Sequence, residues 1–293
     1  MIKYSLIIAF VFFLVGCGRF ANEDKKQELK ERIVCISKQL TEIIFALNAQ
    51  KNIVAVDVSS TYPEMAKQLP TVGYHRALSA EAILAMKPTL ILEDDNIGPE
   101  HVVKQIKDLK IPMKQFHKYK GTIEGTDSLI REMGIYFHQE KNADSLCKKL
   151  ASDMQNALEQ TKQFKDSVRV LVIHYGQASN HYMVMTKKST AAKMVKWAGG
   201  VMAIDDEKGM KQLSAEIVAK SNPDVILLTD FGYDKLGGSA EKIKDLPGIS
   251  STKAFKNNRM YRIEEHDLVY LGPRTGQNVL LIHKLIHQKN VSK

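Results

Sequence analysis

The sequence predicts an α/β fold: two similar Rossmann-like lobes joined by a long rigid α-helix, with a ligand cleft between them. Three observations carry this. Short β-rich runs alternate with helical runs in two separate series, a four-residue motif recurs at a constant offset, and the segment between the series has only helical periodicity.

The first series lies within residues 32–120, the expected N-terminal lobe. Ile33 to Ile36, Ile53 to Val56 and Leu90 to Leu92 are short, β-branched or aliphatic strand candidates. Thr41 to Leu47, Ala80 to Met86 and Val102 to Leu109 alternate with them at helical spacing. The second series, within 166–293, begins with the strand candidate Val168 to Ile173. It continues through Ala191 to Ala198, Ala215 to Ala219 and Val225 to Leu228, and closes with a helix near Thr275 to His287. Between the series, 121–165 reads as connecting helices, Thr122 to Phe137 and Glu140 to Gln163. Ala143, Leu146, Cys147, Leu150, Met154, Ala157 and Leu158 share one face of the second. A helical connector restricts two lobes to small relative motions, unlike a flexible strand linker.

The repeat is Leu78-Ser79-Ala80-Glu81, recurring as Leu213-Ser214-Ala215-Glu216. Each Glu is followed by a proline at the same spacing, Pro88 or Pro223, and each proline by a hydrophobic run of parallel-strand type. Duplicated lobes that face each other imply a cleft.

Before the first lobe, residues 1–17 read as an export signal. Lys3 supplies the positive end, and Leu6 to Val15 is an apolar run of about ten residues, too short to span a bilayer. Leu14-Val15-Gly16-Cys17 has the form of a lipobox, which makes Cys17 the expected site of lipidation and 18–31 a polar tether. The body is therefore expected in the periplasm or cell envelope, lipid-anchored to a membrane without spanning it. The other cysteines, Cys35 and Cys147, lack CxxC or CxxH spacing and read as buried, unpaired thiols, although an export compartment permits pairing.

At 293 residues and 44% hydrophobic content the chain is long enough to bury a large core. Its formal charge of +9 favours anionic ligands. The basic residues are interspersed with acidic ones and form no aromatic-interleaved basic motif, so no nucleic-acid partner is expected. The sequence contains no His-Glu-x-x-His helix, GxSxG elbow, P-loop or compact acidic metal cluster, which speaks against an exported enzyme.

Arg32-Ile33-Val34 with Thr41-Glu42-Ile43, the Gly73-Tyr74-His75-Arg76 turn and both Glu-containing repeats together resemble the helix-linked periplasmic binding proteins for vitamin B12, siderophores and haem. The resemblance covers nearly the whole mature chain. Thr61-Tyr62-Pro63, the stretch from Leu69 to Glu81, and Leu271-Gly272-Pro273-Arg274-Thr275 look most like the haem-specific branch. This implies a monomeric substrate-binding lipoprotein that takes ferric haem as cargo, has no catalytic cofactor, and delivers to the permease dimer of an ABC importer. A siderophore or cobalamin binder on the same scaffold is the alternative, as is a haem-storing surface lipoprotein without a transporter.

The resemblance also assigns residues. Tyr74 stands where the related proteins bind haem iron, and a phenolate is a suitable hard anionic donor for ferric iron. Arg76 is placed to favour that phenolate and to donate a hydrogen bond to it. His174 is a possible second ligand from the end of the strand Val168 to Ile173, because strand C-termini face the crevice in such sheets. His75 is expected to face solvent, and His181 remains open. Lys38, at the start of the first helix, and Arg259, in the other lobe, are possible propionate-binding residues. Tyr182, Met183 and Met185 are candidates to cover the macrocycle. Glu81 and Glu216, one per lobe, are the expected permease-docking carboxylates, and the same residues also suit the first turn of a helix.

Overall fold

A computed structural model describes residues 31–116, 121–164 and 168–288. The proposed signal, Cys17 and most of the tether lie outside the described residues.

The N-terminal half opens with β1 (Ile33–Ile36) and α1 (Lys38–Ala46). Ser37 caps α1, its side chain accepting from the Leu40 amide. Next come β2 (Ile53–Val56), a short hairpin of β3 (Gly73–Tyr74) and β4 (Ala77–Leu78), and α2 (Ala80–Ala85). β5 (Leu90–Glu93), α3 (Glu100–Asp108) and β6 (Met113–Gln115) complete it. The strands form a wholly parallel sheet in the order β2-β1-β5-β6. Both faces are covered, which is why β1 and the first three residues of β5 are continuous apolar runs, every residue of both strands being buried.

The connecting segment is two helices, α4 (Ile123–Tyr136) and α5 (Glu140–Thr161). Thr122 caps α4, and His138, with φ of 55°, turns the chain between them. Ala143, Cys147 and Leu150 of α5 lie in the core beneath the first sheet, whereas Met154 and Ala157 lie in the core of the second half. One helix is therefore packed into both cores. Leu158, assigned by periodicity to the buried face, is 42% exposed instead, because Thr161 takes the inward position at that end.

The C-terminal half contains β7 (Arg169–Gly176), β8 (His181–Met185), α6 (Thr190–Trp197), β9 (Val201–Met202) and β10 (Met210–Gln212). These are followed by α7 (Ala215–Ser221), β11 (Val225–Thr229), α8 (Asp230–Lys235) and α9 (Lys253–Lys256). β12 (Met260–Ile263), α10 (Glu265–Val269) and α11 (Thr275–His287) end the chain. The sheet order is β10-β8-β7-β11-β12, with β9 pairing parallel to β7. β7, β11 and β12 are parallel, and β8 folds back antiparallel on β7.

The repeat is visible in this topology. β1 lies between β2 and β5 as β7 lies between β9 and β11. The repeated Ser79 and Ser214 both act as N-caps, accepting from Ala82 and Ile217 amides. The halves differ in the β7–β8 hairpin, which the sequence reading did not contain. It makes β7 eight residues long and places His174 inside the strand, opposite Met183, not after it.

Candidate functional site

A cleft of about 580 Å³ is lined from both halves: Tyr74, Arg76 and Asn96 on one side, and His174, Met185, Lys188 and Glu265 among those on the other. Tyr74 is delivered by the β3–β4 hairpin. The hairpin is tied to the sheet through Val58 N donating to Gly73 O and Gly98 N donating to His75 O, both 2.9 Å. Gly73 takes φ of +93°, which an L side chain resists, so glycine before Tyr74 sets the turn.

His75 is buried, not exposed to solvent. Its Nδ1 lies 3.2 Å from Asp57 Oδ2 and 3.3 Å from Ser59 Oγ, and Nε2 lies 3.3 Å from Asn96 Nδ2. The Asp57 carboxylate is fully buried and also accepts from Ser60 Oγ at 2.6 Å. Burial alone would raise Asp57, but His75, Ser59 and Ser60 outweigh it and hold the carboxyl below its usual range. His75 thus anchors the base of the hairpin that presents Tyr74.

Burial pushes the Tyr74 phenol up to about 12; Glu265 adds to this, while Lys38 and Arg76 oppose it. Arg76 is exposed and acts on Tyr74 through space; among the described residues it makes no hydrogen bond to that hydroxyl. The unliganded tyrosine is therefore a neutral phenol.

His174 is buried on β7 with Nδ1 3.1 Å from Glu265 Oε2. The contact is close but not aligned as a hydrogen bond. Glu265 begins α10, directly after the C-terminal end of β12, and its amide donates to Asp230 Oδ1 at 2.8 Å. Its other oxygen, Oε1, accepts from Lys38 Nζ at 2.7 Å across the two halves. Burial alone would raise Glu265, yet Lys38 and His174 outweigh it and hold the carboxyl well below the usual range. The Asp230 carboxyl is pushed up to about 6 by burial, with the charges of Glu264 and Glu265 adding.

These contacts overturn both propionate candidates. Lys38 is buried, paired with Glu265 and stacked 4.6 Å from the Tyr270 ring centroid, so its charge is already committed to holding the two halves together. Arg259 precedes β12, at the end of the strand away from the cleft, and donates to the Ile286 carbonyl. A charged residue at the wrong end of a parallel strand cannot reach the crevice. Of the candidates for covering the macrocycle, Met185 lines the cleft, whereas Tyr182 packs on the opposite core and donates to Gly232 O at 2.9 Å. His181 is held in the β7–β8 turn, against Ser179 O at 2.9 Å.

Glu81 and Glu216 lie in the first turns of the equivalent helices α2 and α7, both exposed. Cys35 and Cys147 are free and buried. Glu265, Tyr270, Asn96 and Lys188 were missed from the sequence, although Glu264-Glu265-His266-Asp267 immediately follows a strand, where such sheets place their ligand-facing groups. Among the described residues no group of three or more His, Cys, Asp or Glu could hold a bare metal ion, and no helix is long and apolar enough to cross a membrane.

The family model for periplasmic binding proteins matches residues 33–266. The chain belongs to the periplasmic binding protein family. Its members are binding proteins of ABC transporters and not enzymes. Over 94% of its length the chain is 28% identical to an uncharacterised ABC transporter substrate-binding lipoprotein, YvrC, of Bacillus subtilis, of which 93% is covered. It is also 28% identical to the high-affinity heme uptake system protein IsdE of Staphylococcus aureus, over 90% of each chain. A vitamin B12-binding protein of Vibrio campbellii is 22% identical over 78% of this chain and 81% of its own. Among solved structures, the periplasmic heme-binding protein RhuT from Roseiflexus sp. RS-1 superposes with a TM-score of 0.78 at 30% identity, over 88% of this chain and 98% of that one. The heme-binding protein BhuT, solved with two hemes, gives 0.75 at 27% identity, over 87% and 97%. The protein is thus a substrate-binding protein of the ABC-transporter type, similar to heme binders and to a vitamin B12 binder.

Proposed function

We propose that this protein binds ferric haem outside the cytoplasmic membrane and delivers it to the permease dimer of an ABC importer, anchored to the envelope through lipidated Cys17 and acting as a monomer. The observation that carries this reading is that Tyr74 and His174, from different halves, line one cleft. Tyr74 is the iron ligand: ferric iron would take the place of the phenol proton, which leaves to solvent, since a neutral phenol binds iron poorly. Arg76 steadies the phenolate by charge, and His174 is the second ligand. Arg76 and Lys188, both exposed at the cleft, suit the propionates. Glu81 and Glu216 present one carboxylate per half to a two-fold related partner. The likeness to RhuT, BhuT and IsdE supports haem over other cargoes.

The test is a titration of the purified protein with ferric haem, read by absorption, beside a titration with cobalamin. Haem is supported by a saturable Soret shift that Tyr74→Phe weakens or alters. Tight cobalamin binding with no Soret shift would refute it in favour of the vitamin B12 relative's chemistry.

A further inference from the structure

Glu265 is a cleft residue whose two carboxylate oxygens face partners in opposite directions. Oε1 receives Lys38 Nζ at 2.7 Å from the N-terminal half, and Oε2 faces His174 Nδ1 at 3.1 Å within the C-terminal half. Its carbon skeleton is fixed by the Asp230 carboxylate, which accepts from the Glu265 amide. All three side chains are buried. The His174 nitrogen on the Glu265 side, Nδ1, is inaccessible to solvent, which leaves Nε2 as the ring nitrogen open to the cleft.

A histidine that binds a metal through one nitrogen depends on what the other does. A carboxylate at Nδ1 holds the proton there, fixes the ring plane and makes Nε2 a better donor. We infer that Glu265 is a positioning residue for cargo: it holds His174 with Nε2 toward the cleft, and because Lys38 holds Glu265 from the other half, His174 is presented only while the halves keep this arrangement. The inference rests on the haem reading. The 3.1 Å separation of Nδ1 and Oε2 is within hydrogen-bond reach. No proton need leave the pair.

The test uses ferric haem with wild type, His174→Ala, Glu265→Gln, and the double variant Lys38→Met with Glu265→Gln, which avoids stranding a buried lysine if the single variant folds poorly. The difference between wild type and His174→Ala in electron paramagnetic resonance and visible spectra defines the signature of the histidine. Loss of a supporting partner of this kind typically weakens metal binding roughly 10- to 100-fold. Glu265→Gln and the double variant should lose haem affinity by about that factor and shift the signature toward that of His174→Ala, a change that a merely structural role would not produce. A folded Glu265→Gln or double variant with the wild-type signature overturns the inference and leaves haem binding intact. So does a His174→Ala spectrum identical to wild type. Absence of any Soret change in wild type instead overturns the haem reading and this inference with it.

Discussion

Arg274 of the C-terminal half reaches Glu42 of α1, Nε 2.9 Å from Oε1, while its Nη2 donates to Asp267 Oδ1 at 2.7 Å. His266 holds the second Glu42 oxygen, and the guanidinium carbon lies 3.4 Å from the Tyr62 ring centroid. Beside it, Gln39 Nε2 and Thr126 Oγ1 both donate to Leu271 O, at 2.7 and 3.0 Å. With Lys38 and Glu265 this forms a buried polar seam along α1. Together with α5, packed into both cores, it ties the two halves to each other beside the cleft.

Arg274→Ala should cost about 3–5 kcal/mol, because it leaves the buried Glu42 carboxylate without its guanidinium, and Glu42→Gln should cost less, because the half-buried Arg274 keeps Asp267. Arg274→Lys should rescue little, since one ammonium cannot serve Glu42, Asp267 and the Tyr62 ring together. Urea denaturation of the wild type and the three variants measures this.

The same seam sets an acid limit. Burial alone would raise the Glu42 carboxyl, but His266 and Arg274 outweigh it and depress it below its ordinary 4.5. A depressed folded value means the stabilisation is complete above about pH 4.5 and is lost as pH falls through the folded value. Unfolding free energy should therefore decline below pH 4.5 in the wild type, and less steeply in Glu42→Gln. Equal slopes would show that other carboxylates dominate the acid limb.

Gly276 of α11 sits so close to α5 that a Cβ would lie 2.4 Å from the Asp153 carbonyl carbon. Helix backbone cannot swing aside as a side chain can, so Gly276→Ala should destabilise by about 1–3 kcal/mol despite the better helix propensity of alanine. A higher urea midpoint for this variant would show that the two helices have room to part.

Both lone cysteines should resist alkylation. Burial pushes each thiol up to about 12, so almost no thiolate exists at neutral pH. In a soluble Cys17→Ser form, two thiols should react after denaturation and none before it, with no change on reduction. Fewer than two reacting without reductant would mean a disulfide.

How far the sequence discloses this molecule can be judged from particular residues. β1, β5 and β11 are apolar runs with a local cause, and their limits follow from it. The Leu-Ser-Ala-Glu repeat is legible because a helix N-cap is written in adjacent residues. The β7–β8 hairpin is not: its turn, 177–180, carries Asn180 at φ 57° but no Asn-Gly pair, and the apolar run of β8 suits helix or strand alike. Lys38 and Glu265 are 227 residues apart, so nothing near either one shows that they pair. Arg259 illustrates the same gap, since its charge is evident and the end of the sheet it occupies is not. His75 is assigned to solvent by its polar loop, although Asp57 and Asn96 enclose it from the loops after β2 and β5.

Cargo binding and delivery should separate at Glu81 and Glu216. Each is exposed in the first turn of a repeated helix, neither lines the cleft, and each helix keeps its serine cap without it. Substitution by Ala removes at most a few tenths to 1 kcal/mol of helix-terminus stabilisation, so haem affinity should be nearly unchanged. Haem-dependent growth, or ATP hydrolysis by the reconstituted transporter, should fall in each single variant and furthest in the double. Lys at both positions should be worse than Ala, because repulsion from a basic permease surface is added to the loss of attraction. Full transport by Glu81→Lys with Glu216→Lys would remove the docking role. A matching loss of haem affinity would place these carboxylates in the support of the cleft instead.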